Sequence, residues 1–164
     1  MQNTLTTSDV IVVGGGPVGA TLALALMQAR PRSLQVSVLE AQDAQDTRRD
    51  TRTLALSHGS RLILERVGIW RKLQAPTPIK SIHISQRGHF GQVRLHAAEA
   101  GLPALGYVIP HAELQMVLHQ ALAQCGARYL RGASVTEVLP EGDQTTVRYT
   151  CEGQTHIETA RLVA

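Results

Sequence analysis

Apolar positions along the chain fall into short blocks, and their spacing switches between two periods. Val10–Val13 is a continuous Val/Ile run that ends abruptly in Gly14-Gly15-Gly16. Such a run predicts a buried strand entering a tight turn. Residues 17–29 are rich in Ala and Leu and predict a helix, which Pro31 stops. Leu34–Glu40 then alternates Leu34, Val36 and Val38 with polar neighbours and closes on an acid. Strand, helix and strand within about 30 residues make one βαβ unit.

Further on, Leu62, Ile63, Val67 and Trp70 predict a helix over Ser57–Leu73, with Gly68 ending its first part. Ile79–Ser85 and Val93–His96 alternate and read as strands. The clearest helical face is Leu114, Val117, Leu118, Ala121, Leu122 and Cys125, with Pro110 ahead of it and Gly126 behind. The rest reads as strands, with turns at Glu141-Gly142-Asp143 and Glu152-Gly153. Arg161-Leu162-Val163-Ala164 begins one more apolar run. It reads as the cut end of a longer protein, an open strand with unpaired backbone groups.

Composition narrows the function classes. With 164 residues, 43% of them hydrophobic, the chain has the size of one domain and enough apolar content for a core. No run approaches the roughly 20 apolar residues of a membrane span. Met1–Asp9 lacks the pattern of a signal peptide. Cys125 and Cys151 are too few for a disulfide framework, so a cytoplasmic setting is expected. The charge of +3 is mild, and Trp70, Phe90, Tyr107, Tyr129 and Tyr149 are scattered, which argues against nucleic-acid binding. The seven histidines have no metal-ligand spacing, so no metal is expected.

The chemistry lies in Gly14-Gly15-Gly16-Pro17-Val18-Gly19, which fits G-x-G-x-x-G. Gly14 makes the turn off the strand, Gly16 lets backbone N–H groups approach a pyrophosphate, and Gly19 lets the helix pack close. The helix N-terminus offers unpaired N–H groups and its positive dipole end. Glu40 follows Gly19 by 21 residues, at the end of the second strand, where it can accept bonds from ribose hydroxyls. Its charge would repel a 2′-phosphate. The ligand class is an adenine dinucleotide, FAD or NAD, and the fingerprint alone leaves both open.

Three later segments carry a resemblance. Gly19-x-x-x-Ala23-x-x-Leu26 extends the fingerprint, Asp50-x-Arg52-x-x-Ala55-Leu56-Ser57 follows Glu40, and Gly68-Ile69-Trp70 follows the next helix. Together with Gly106-Tyr107-Val108-Ile109-Pro110-His111-Ala112-Glu113-Leu114, they resemble the flavoprotein aromatic hydroxylases of ubiquinone biosynthesis. This is the 2-polyprenyl-6-methoxyphenol hydroxylase family, related to p-hydroxybenzoate hydroxylase. The resemblance covers only the family's N-terminal portion. It implies an α/β, Rossmann-like FAD-binding fold (1–75 and 106–164) with part of a β-rich substrate domain (76–105).

The cofactor-binding residues it implies are Gly14, Gly16, Pro17, Val18, Gly19, Glu40, Ala41 and Arg52, with Arg52 near the phosphates and ribityl chain. Arg48 and Arg49 are weaker candidates. It further implies NAD(P)H as reductant and a polyprenylphenol as substrate of a monooxygenase. Peripheral association with the inner membrane or with a biosynthetic complex, and oligomerisation, stay open. This chain departs from the family pattern at His111-Ala112, where relatives often carry Asn-Arg. It also ends before the Asp-Gly pair that relatives place near the flavin. An NAD-dependent dehydrogenase and a non-catalytic remnant are the alternatives.

Overall fold

In the computed structural model, residues 6–29, 34–43, 50–74, 76–86, 88 and 90–164 are described. Pro31, Arg48, Arg49 and His89 lie outside them. The chain packs as two compact units: Met1–Asp50 with Gln115–Ala164, and Thr51–Leu114.

The first unit is a six-stranded sheet. It contains β1 (Thr6–Val13), β2 (Val36–Glu40), β8 (Arg128–Arg131), β9 (Ser134–Glu141), β10 (Gln144–Cys151) and β11 (Gln154–Val163), in the order β8-β2-β1-β11-β10-β9. The β8-β2-β1-β11 half is parallel, and β10 and β9 continue it as an antiparallel meander. Helix α1 (Pro17–Ala29) joins β1 to β2 and buries Ala20, Ala23, Leu24 and Met27. The predicted βαβ unit is therefore present, with β1 starting earlier than its Val/Ile run. Pro17 opens α1, where its missing N–H costs no helical bond.

All five residues of β2 are buried, as in a strand covered on both faces. Ile11, Leu39, Ala133, Val147, Tyr149 and Ala160 form a continuous apolar cluster. Each large side chain fully buried there stabilises the unit by about 1.5–3 kcal/mol. At the start of the parallel strands, fully buried Glu158 accepts from the Ser8 and Ser37 hydroxyls and from Arg128, each at 2.6 Å. A buried carboxylate persists only when it is paired and hydrogen-bonded in this way.

The run at Leu162–Ala164 corrects one expectation. Leu162 and Val163 pair with Val10 and Ile11, Val13 N–H donates to the Ala164 carbonyl at 2.7 Å, and Ala164 N–H donates to Ile11 at 2.9 Å. One edge of the segment is thus bonded to β1, while the register of β11 with β10 ends at Ala160. Alternation in sequence identifies a strand without revealing which neighbour satisfies its backbone.

The second unit holds β3 (Thr53–Ser57), β4 (Thr77–Ile79) and β7 (Gly106–Pro110), paired antiparallel in the order β3-β7-β4. Gly106 faces β3 so closely that a Cβ would collide with the Leu56 carbonyl. Helix α2 (His58–Arg66) is shorter than the predicted 57–73. Ser57 caps it by accepting from Ser60 N–H at 3.1 Å. Gly68 then takes φ +75°, and Trp70–Lys72 forms a separate 3₁₀ turn. Trp70 meets Tyr107 edge-on at 4.9 Å, which holds that turn to β7. A further hairpin, β5 (Ser81–Ser85) with β6 (Gln92–His96), leaves Ile82, Ile84, Val93 and Leu95 exposed on one face. Helix α3 (His111–Gln124) is divided between the two units after Leu114.

Candidate dinucleotide-binding site

The turn between β1 and α1 is set by where its backbone groups go. Gly14 has φ +99°, a conformation that side-chain-bearing residues rarely adopt, and its N–H donates to the Leu39 carbonyl at 2.8 Å. Gly15 N–H donates to Glu40 Oε2 at 2.5 Å. The first helical bond runs from Ala20 N–H to the Gly16 carbonyl at 2.9 Å. The N–H groups of Val18 and Gly19 thus precede the first helical bond and have no partner within α1.

The glycines differ in purpose. A Cβ on Gly19 would collide with the Gly14 carbonyl, so Gly19 is needed for the close approach of helix and turn. A Cβ on Gly16 would meet nothing within 4 Å, so no packing requirement explains a glycine there. Open space beside unpaired N–H groups at a helix N-terminus suits an anion. Gly15, only a spacer in the fingerprint, is enclosed: its Cβ would lie 3.1 Å from Glu40 and 3.2 Å from Tyr129.

Glu40 is 8% exposed at the end of β2. Its Oε1 accepts from Gln42 N–H at 2.7 Å while Oε2 holds Gly15, so each oxygen retains a further lone pair. Gly14, Gly16, Pro17, Val18, Gly19, Glu40 and Ala41 all belong to the first unit and cluster at the carboxyl ends of β1 and β2. Arg52 belongs to the second unit, exposed, with its carbonyl accepting from His111 N–H at 2.9 Å. His111 is the first residue of α3.

Four residues escaped the sequence reading. Gln115 Nε2 donates to the Gly15 carbonyl at 2.8 Å, and His119 Nε2 lies 3.1 Å from the same oxygen. Arg131, the β8 register partner of Glu40, contacts His119 Nδ1 and donates from Nε to the Tyr129 hydroxyl at 3.1 Å. Burial, and secondly the Arg131 guanidinium, lower the His119 pKa from its ordinary value. Burial raises that of Tyr129. The one available signal was Gln115 and His119 at i and i+4, flanking the apolar stripe of α3. Among the described residues, no group of three His, Cys, Asp or Glu could hold a metal, and no helix is long and apolar enough to cross a membrane.

A family model described as FAD binding domain matches residues 7–164. A 3-demethoxyubiquinol 3-hydroxylase of Escherichia coli (strain K12) is 35% identical over 121 residues, 70% of this chain and 30% of its own length. Ubiquinone hydroxylase UbiM of Neisseria meningitidis is 31% identical over 130 residues, 71% of this chain and 27% of its own length. The chain therefore spans under a third of these curated relatives. Among solved structures, CabE, an aromatic hydroxylase from angucycline biosynthesis, matches with TM-score 0.75 at 26% identity, over 95% of this chain and 30% of its own.

Proposed function

The chain belongs to the family of FAD-binding domains, and from that premise we propose that it is the FAD-binding portion of a flavin-dependent monooxygenase acting on a polyprenylated phenol. What supports the substrate class is the similarity to a 3-demethoxyubiquinol 3-hydroxylase and to a ubiquinone hydroxylase. What supports the cofactor is an observation in this chain: Gly16 is a glycine with open space above it, beside a helix N-terminus and a buried carboxylate.

The residues fit an adenine dinucleotide. In this reading Gly16 and the N–H groups of Val18 and Gly19 hold the pyrophosphate. Glu40 accepts from the ribose hydroxyls with the lone pairs that Gly15 and Gln42 leave free, and its charge disfavours a 2′-phosphate. Pro17 fixes the start of α1, Ala41 continues the chain past the ribose, and Arg52 serves the phosphates and ribityl chain. When bound, FAD supplies the redox chemistry, with NAD(P)H as reductant and O₂ as oxygen source. The protein's own part is to bind, orient and exclude water. Residues 1–75 and 106–164 form the cofactor-binding part, and 76–105 begin the substrate-facing part.

A flavin-fluorescence titration tests the loop. The parent is expected to quench FAD, and Gly16→Val to abolish quenching while keeping its circular dichroism, because a Cβ at Gly16 meets no protein atom within 4 Å. Equal binding by both would reduce the loop to a turn.

A further inference from the structure

The hairpin of β5 and β6 has two unlike faces. Ile82 stands opposite Leu95 and Ile84 opposite Val93, and all four are exposed, Ile84 and Val93 by 54% each. The other face pairs Ser81 with His96, His83 with Arg94 and Ser85 with Gln92. Phe90, between the two strands, is fully exposed. A two-stranded ribbon is marginally stable alone in water, so an apolar face of this kind calls for a cover.

Charge sets this part of the chain apart. From Arg66 to Ala98 the sequence has no Asp or Glu but six Lys or Arg, Lys80 and Arg94 among them. The whole chain carries +3, so everything outside this stretch sums to −3. Lys80 is exposed at the foot of β5, and Arg94 is exposed on the polar face of β6.

We propose that the β5–β6 hairpin is a docking surface for an anionic lipid bilayer. Its apolar face and Phe90 enter the boundary between headgroups and acyl chains, as interfacial amphipathic segments do. Lys80 and Arg94 then lie within a Debye length of the headgroups, about 10 Å at 0.1 M salt. A second copy of the chain fits less well. From strand dimensions the apolar face measures roughly 17 Å by 10 Å, whereas a stable protein interface covers about 800 Å² on each partner. A second copy would also bring the same cations against these. An acidic protein would match the charge and leave Ile82, Ile84, Val93 and Leu95 without an apolar partner. A bilayer supplies both. The hairpin alone carries the docking, whichever cofactor the Gly loop takes. For the substrate class proposed above it has a use, because a polyprenyl chain partitions into the same bilayer.

Vesicle flotation of the 164-residue chain tests this, on phosphatidylcholine alone and with phosphatidylserine added. Binding to the anionic vesicles is expected to be tighter by about fivefold for each cation near the surface, and to lose that advantage at about 1 M salt. Lys80→Gln with Arg94→Gln should erase the preference for anionic vesicles. Ile84→Ser with Val93→Ser, or Phe90→Ala, should weaken binding to them several-fold. All are surface changes, so circular dichroism and the FAD titration should match the parent's, and Phe90→Ala stands in if the strand variants unfold. Equal binding to both vesicles, or variants that bind like the parent, overturns the proposal. A parent that does not float with anionic vesicles overturns it too, and a dimer in sedimentation velocity would then give the face to a second copy. Vesicle docking without FAD binding would count against the cofactor reading alone.

Discussion

In the proposed site Glu40 combines two duties in one carboxylate, and parallel measurements can separate them. Glu40→Ala removes the proposed ribose contact and also leaves Gly15 N–H without its partner. We expect FAD affinity to fall by about 1.5–3 kcal/mol, the range for hydrogen bonds to charged groups, and folding stability by about 1–3 kcal/mol for the orphaned donor. Parallel titration and urea denaturation read the two losses. Unchanged affinity would remove Glu40 from the site. The glycines separate in the opposite way: Gly19→Ala collides with the Gly14 carbonyl and should cost about 1–3 kcal/mol of stability, measured by thermal unfolding. Gly16→Val should cost little. At His119 the pKa is depressed in the folded state, so its contribution to stability is complete above the ordinary imidazole value, about 6.5. That contribution is lost as pH falls through the folded value, because the unfolded chain takes up the proton first.

Among the elements, those with a strong local signature were legible. The Val/Ile run, the glycines and the acid at position 40 specified β1, α1 and β2, and the face from Leu114 to Leu122 specified α3. β3 was not, because its alternation of exposed and half-buried residues is weak and it lies among arginines and threonines. The helix read through 57–73 broke because Gly68 takes a positive φ and the chain restarts as a 3₁₀ turn against Tyr107. Gln115 and His119 stayed hidden because periodicity treats a polar residue as exposed. Both are buried by partners about 100 positions away. The Ser57 cap is the cleanest element-scale test. Ser57→Ala should cost about 1 kcal/mol, read as a lower urea midpoint with an unchanged slope.

For the whole molecule, the proposal separates cofactor binding from catalysis. The chain spans about 30% of the first curated relative, and in the proposed site the Gly loop and Glu40 serve only part of a flavin cofactor. Hydroxylation needs a closed, dry cavity around the reacting ring. These 164 residues are therefore expected to bind FAD weakly and to yield no hydroxylated product with FAD, NAD(P)H, O₂ and a polyprenylphenol. Stoichiometric product would overturn that expectation.

The pairing of β1 with β11 bears on how the protein is made. Ser8 and Glu158, bonded in the folded sheet, are 150 positions apart. During synthesis, β1, α1 and β2 leave the ribosome before β11, and one edge of β1 has no partner until residues 154–163 emerge. Contacts of such long separation form slowly, since the loop between them must be closed before it is rewarded. Until then an apolar strand edge stands open, and a nascent chain in that state is a substrate for chaperones or for its neighbours on the polysome.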